Sequence, residues 1–249
     1  MRTLRKMTWV ETKLLLREPL TVVFTFGFPF LVLVVLGQLF GNTPDPEQPK
    51  IFRGVGPMDY YVPGYVGLTI AAIGLIALPV HLASYRERGV LRRFRASGLP
   101  PWAVIASQAI VGALASVAGS AFLVVLGFVG YDVHAPEQPG AVLLTFALSV
   151  CCFASIGIFL GAVMPSARAA QGIGLMLFFA MMFLSGTDGP RELLGEVLRR
   201  VGDVLPLTHV VVAMQDPWIG FGLNGARLVL VAAVTVAAVV GAVRAFRWE

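Results

Sequence analysis

At 249 residues the chain is 57% apolar and only 13% charged, with a mean hydropathy of +0.81, whereas a soluble domain carries about 25% charged residues. That excludes a water-soluble globule and points to an all-α integral membrane protein. The net charge of +5 does not mark a nucleic-acid binder, because the cations fall in short loops between apolar runs, the pattern that membrane insertion reads.

Residues 1–19 predict an amphipathic helix. At 100° per residue Arg2, Arg5, Lys6, Lys13 and Arg17 fall within one arc of about 120°. Leu4, Met7, Leu14 and Leu15 fall opposite, Glu11 interrupts that apolar face, and Trp9 and Leu16 sit among the cations. Such a helix lies in the headgroup layer. Pro19 breaks it and starts the first span. The apolar run at 20–40 has no small-x-small cleavage site after it and is too long for a signal core, so it reads as a span.

A Pro/Gly-rich loop follows at 41–59. Further spans are predicted near 61–84, 102–130, 141–163, 168–186 and 224–246, six in all. The third is long enough to tilt or to end in an interfacial turn. Cys151 and Cys152, adjacent within the fourth, are packing residues and do not pair with each other. Before the last span, Arg191–Val204 is amphipathic and too charged to cross, and the apolar run Leu205–Ala213 is too short to do so. The region 187–223 is therefore either a pair of re-entrant half-helices or an ordinary loop with a surface helix. No repeat or linker divides the chain, which reads as one membrane domain over 1–249.

Six spans put both termini on one side, and the cations choose it. One set of segments holds Arg2, Arg5, Lys6, Lys13, Arg17, Arg86, Arg88, Arg92, Arg93, Arg95, Arg168, Arg244 and Arg247; the other holds only Lys50, Arg53, Arg191, Arg199, Arg200 and Arg227. The excess places both termini in the cytoplasm. The loop at 85–101 then faces the cytoplasm, and its five arginines alone suffice to stop it crossing, since each costs about 2.5–3.5 kcal/mol at mid-membrane. Topology could be its whole purpose. Yet Val90, Leu91 and Phe94 share one side of a short helix, Arg92 and Arg95 point away, and Gly98 with Pro100 and Pro101 stops it. A phased apolar ridge with a cationic back is shaped to enter a groove on a protein.

Chemistry for catalysis is missing from the pattern: there is no HExxH, no GxSxG and no metal-spaced Cys/His cluster, so no catalytic or metal residues are assigned. No glycine precedes a lysine, which rules out a P-loop in this chain. The spans lack the carboxylates of an ion-coupled transporter; His81 is near an end of the second and reads as interfacial. Gly112, Ser116 and Ser120 form one small-residue face, Gly157 and Gly161 another, for packing within the subunit or across a dimer.

Four stretches in register carry a resemblance: the basic entry helix at 2–18; Tyr61-Val62-Pro63-Gly64, like a motif that opens a second span; Glu87-Arg88-Gly89-Val90-Leu91-Arg92-Arg93, followed by Leu99-Pro100; and Phe183-Leu184-Ser185-Gly186, then Pro190, then Leu205-Pro206-Leu207-Thr208. Together they resemble the membrane subunit of ABC-2-type exporters, close to bacterial drug and lipid permeases. Two departures stand out: Gly89 follows Arg88 directly, earlier than in the family pattern, and Arg92 replaces an acid.

The resemblance implies a homodimer or paired permeases in a bacterial cell membrane, with two cytoplasmic ABC ATPase subunits. Glu87, Arg88, Gly89, Val90, Leu91, Arg92, Arg93 and Phe94 would form the coupling contact. No cofactor is expected in this chain, Mg-ATP being held by the partner. A wall without buried charge suits a hydrophobic or amphiphilic cargo. The phenylalanines of the first and fifth spans read first as packing or lipid-facing residues, with Phe24, Phe28, Phe179 and Phe183 as candidates for a substrate path. The rival reading is a membrane anchor that recruits a cytoplasmic partner through 85–101 and moves nothing.

Overall fold

The computed structural model describes residues 2–17, 19–44, 51–96, 98, 101–187, 189 and 194–245, and among them every regular element is a helix. α1 (Arg2–Leu16) leads into α2, a continuous helix made of Pro19–Val22, a π-helical turn Val23–Gly27 and Phe28–Phe40. α3 (Pro57–Glu87) contains a second π turn at Ile73–Ala77. α4 (Val90–Ala96) is short; α5 (Pro101–Tyr131), α6 (Pro139–Val163) and α7 (Ala167–Ser185) are long. Two short helices, α8 (Glu196–Gly202) and α9 (Pro206–Trp218), precede α10 (Gly225–Ala245). Segments within α2, α3, α5, α6, α7 and α10 are long and apolar enough to cross a membrane, so the six predicted spans are present.

The ends differ from expectation in places. α3 starts at Pro57, not near residue 61, so Tyr61-Val62-Pro63-Gly64 lies inside the helix. The reason is a side-chain cap: Asn42 Oδ1 accepts the Met58 and Asp59 N–H groups, both at 3.0 Å, which starts the helix a turn early. The third span is helical throughout Pro101–Tyr131, with no terminal interfacial turn. Among the described residues of the predicted 191–204 helix, Glu196–Gly202 is helical; residues 190–193 lie outside the described residues. α9 runs on to Trp218, well past Ala213, and is buried along nearly its whole length.

The core is α3. Nearly all of its length is buried, and it is apolar on every side with no polar stripe to show to solvent. α2, α5, α6, α7 and α9 wrap it. Small residues set how closely they approach. A Cβ at Gly157 would overlap the Gly74 carbonyl oxygen, and one at Gly161 would stand 2.8 Å from Leu82 Cβ. A Cβ at Gly112 would meet Leu78 Cδ1 at 3.2 Å. Both small-residue faces are thus used within the chain, against α3.

Each π turn precedes a proline. Phe28 N–H bonds to Val23 O and Leu78 N–H to Ile73 O, five residues back. Pro29 and Pro79 follow; neither has an N–H, and in an α turn each ring would strike the carbonyl four residues earlier. Widening the turn moves that carbonyl aside. On α3 this carbonyl belongs to Leu75, and a Cβ at Gly174 of α7 would overlap it.

At the end of the bundle remote from α4, Asp59 ties three segments. It is 5% exposed; Oδ1 accepts the His134 N–H at 2.7 Å, Oδ2 lies 2.9 Å from His134 Nδ1, and Asn42 Nδ2 donates to Oδ2 at 3.3 Å. The hydrogen bond to Asp59 and the charge of that carboxylate hold the His134 imidazolium pKa above its ordinary 6.5, with Asp132 and Glu137 acting in the same direction.

Two outcomes follow from this packing. Gly174→Val forces α7 off the Leu75 carbonyl and is expected to lower stability in detergent by about 1–3 kcal/mol or more, whereas Gly172→Ala, with open space around it, is tolerated; equal melting temperatures for both variants contradict the close clasp. Because the folded pKa of His134 is raised, its tie to Asp59 is complete below pH 6.5 and lost as pH rises through the folded value. NMR titration, assigned with His134→Gln, should place His134 above 6.5 and Asp59→Asn should return it toward the ordinary value; a wild-type titration at or below 6.5 refutes the tie.

Candidate functional site

α3 and α5 are each 31 residues long, about 45 Å at 1.5 Å per residue against ~30 Å of hydrocarbon. They overshoot the membrane, and α4 joins them at the charged end. α3 stops with Arg88 N–H on Ser84 O at 3.0 Å and Gly89 N–H on Arg86 O at 3.1 Å. Gly89 has φ +66°, a left-handed conformation that closes the helix and turns the chain into α4. The early glycine noted in the sequence is therefore the C-terminal cap of α3. Gly98, at φ +75°, follows α4; Leu99 and Pro100 lie outside the described residues.

The ridge of α4 is partly used within the chain. Leu91 is 1% exposed, Val90 and Phe94 are half-buried, and Arg92 and Arg93 are exposed. The Phe94 ring meets the Tyr85 ring edge-on at 6.1 Å. Leu91 turns inward onto the end of α3, while Val90 and Phe94 are only partly covered. What α4 presents to water is its cationic side; the Arg95 side chain lies outside the described ones.

The end of α3 that leads into α4 is braced from two directions. Arg86 donates to the Ala162 carbonyl at the end of α6. Glu87 Oε2 accepts the Ala167 N–H at 3.1 Å, in the first turn of α7, where Ser166 Oγ takes the Ala169 N–H at 3.2 Å. A carboxylate there satisfies an orphan amide and meets the positive helix end. Arg88 is exposed.

The second brace is α1, which packs on α5. Glu11 is 2% exposed and accepts from Gln108 Nε2 at 2.9 Å; His81 Nδ1 stands 3.8 Å away, and the Tyr85 hydroxyl also bonds to it. Burial pushes the Glu11 carboxyl above the ordinary range; Tyr85, His81 and Gln108 pull it back. Tyr85 thus touches both Glu11 on α1 and Phe94 on α4. The opposite side of α1 carries exposed Trp9, with Lys13 Nζ 4.9 Å from its ring centre, and exposed Arg17. The side chains of Arg2, Arg5 and Lys6 lie outside the described ones.

The structure brings together three of the four phenylalanines considered for a substrate path. Phe24, Phe28 and Phe179 pack edge to face at 5.7–6.0 Å across α2 and α7, around fully buried Phe178. Phe183 is 61% exposed. Sequence reasoning missed Glu11, Tyr85, Arg86 and Gln108. The available signal was a carboxylate centred on the apolar face of an otherwise regular amphipathic helix, which only a buried partner makes tolerable.

Six helices long and apolar enough to span, one of them the buried hub α3, with a charged bend at one end, define a multi-pass membrane protein. The family model for the ABC-2 type transporter matches residues 2–217, and the chain belongs to that family. A search of curated proteins found no match. Membership makes the chain a membrane component of an ABC transporter, not itself catalytic, and implies association with an ABC ATPase.

The Glu11–Gln108 contact gives a direct test. Glu11→Leu and Gln108→Leu each leave a buried polar group without its partner, and each is expected to cost about 1–3 kcal/mol. The double change should cost less than the sum. Strict additivity in detergent melts refutes the pairing.

Proposed function

We propose that this permease is the membrane half of an exporter that moves a hydrophobic or amphiphilic molecule, drug-like or lipid, outward. Separate ATPase subunits holding Mg-ATP grip it through α4 on the cytoplasmic side of a bacterial cell membrane, where both termini lie. Two permeases, identical or paired, make the complete unit with two ATPases, and 1–249 acts as one permease domain in each.

The observation that carries this reading is the exposed Arg92 and Arg93 on a helix packed on the end of α3, an end that Arg86 and Glu87 tie to the α6–α7 corner and Tyr85 ties to α1. A push on those arginines is delivered to the end of α3 and, through its ties, to the α6–α7 corner and α1. The cargo class rests on where the titratable groups sit: the buried Glu11, His81, Asp59, His209 and Asp216 belong to the two ends of the bundle, and the buried polar side chains of the long middle, such as Thr69, Ser116 and Ser149, are uncharged hydroxyls. Residues 187–223 fit half-helices dipping into the outer leaflet, with α8 exposed and α9 buried against α3, α6 and α10.

Reversing charge in Arg92→Glu with Arg93→Glu is expected to reduce ATPase co-purification about tenfold or more, with normal membrane insertion. Phe94→Asp should also weaken it, by loosening α4 from Tyr85. Loss in Phe94→Asp alone means an apolar contact, and no loss in either removes α4 as the grip. In proteoliposomes, stimulation of hydrolysis by one of a panel of lipids and amphiphilic drugs supports export. No stimulation and no transport leave only an anchor.

A further inference from the structure

At the end of the bundle remote from α4, segments far apart in sequence line an open polar cavity of about 290 Å³. Arg53 from the loop before α3, Arg199 from α8 and Arg227 from α10 line it, with Gln215, Asp216 and Asn224. Among the described lining residues, three guanidinium groups face one carboxylate.

The walls are built in place. Arg53 Nη1 donates to Asp216 Oδ1 at 2.7 Å, and the guanidinium lies 4.4 Å from the Phe221 ring centre. Asp216, 4% exposed, also accepts from Asn224 Nδ2 at 3.4 Å. Gln215, 2% exposed, donates to the Tyr60 carbonyl at 3.1 Å. Arg227 Nη1 lies 3.0 Å from His209 Nδ1, and His209 Nε2 lies 2.8 Å from the Asp203 carbonyl. Arginine only donates, so the neutral Nε2–H tautomer of His209 satisfies both contacts. Forked donors held in position suit the oxygens of a phosphate or carboxylate.

A second feature indicates what the anion is attached to. α8 carries Arg199 into the cavity, yet its Val197, Leu198 and Val201 are 75%, 50% and 48% exposed, and Phe221, which stacks on Arg53, is 61% exposed. Apolar side chains left bare beside a cationic cavity are placed to meet hydrocarbon.

We propose that this cavity binds the anionic head group of an amphiphile, with its tail along the exposed side chains of α8 and Phe221. This deepens the amphiphile reading above but is tested without the ATPase, so the failure of either leaves the other standing.

The test uses the full chain in phosphatidylcholine nanodiscs, with phosphatidylglycerol as probe and inorganic phosphate as competitor, read by native mass spectrometry. The unaltered chain should retain phosphatidylglycerol over phosphatidylcholine. Arg199→Gln should weaken retention about tenfold or more. Arg200→Gln, a neighbour that pairs with Glu196, should leave it unchanged. Displacement by millimolar inorganic phosphate supports an anion site that also takes the free ion; resistance to it supports recognition of head and tail together. No preference for phosphatidylglycerol in the unaltered chain, or equal loss in the Arg199 and Arg200 variants, overturns the proposal.

Discussion

A helix that is apolar on every side has to be enclosed, and the enclosure of α3 organises this molecule. Its neighbours can touch it only where side chains are small or absent. Hence the glycines at 157, 161 and 174 stand opposite backbone carbonyls or leucine side chains of α3. In a bilayer, where lipid is as apolar as leucine, such close packing rather than the exclusion of water holds helices together. The proline-driven π turn at Ile73–Ala77 belongs to the same device. It frees the Leu75 carbonyl, and Gly174 is the residue that tolerates it.

α3 also connects the two polar ends. At one end Asp59 gathers Asn42 and His134 about its first turn. At the other, His81 and Tyr85 reach Glu11 of α1, and Tyr85 reaches Phe94 of α4. The charge-bearing groups therefore sit where water is, and the apolar length between them crosses the membrane. The π turns of α2 and α3 contact each other within that length. At both places the helical ladder is widened to bonds reaching five residues back.

Much of this was legible in the sequence, because length and hydropathy alone specify a span. The six helices fall where the pattern puts them, and the loop at 85–101 stands apart by charge. What the pattern could not say is which neighbour a face meets. Val90, Leu91 and Phe94 share a side in any helix, but only the fold shows Leu91 turned onto its own bundle. Gly157 and Gly161 mark a close approach without naming α3 as its target. Glu11 looks like a flaw in an amphipathic helix until Gln108, 97 residues further along the chain, and Tyr85 are seen around it. The early start of α3 escaped for the same reason, since its cap comes from Asn42, outside the helix. The cavity lined by Arg53, Arg199 and Arg227 is assembled across a span of the chain that no local motif covers.

The central claim is that α3 carries α4 on one side of the membrane and its capped first turn on the other. Cysteines placed at Arg93 and at Thr43, both exposed, in a background with Cys151 and Cys152 replaced by alanine, test it with a membrane-impermeant maleimide. Arg93→Cys should label in inverted vesicles and not in intact cells, and Thr43→Cys the reverse. Labelling of both from one side, or of Arg93→Cys from the cell exterior, contradicts the account.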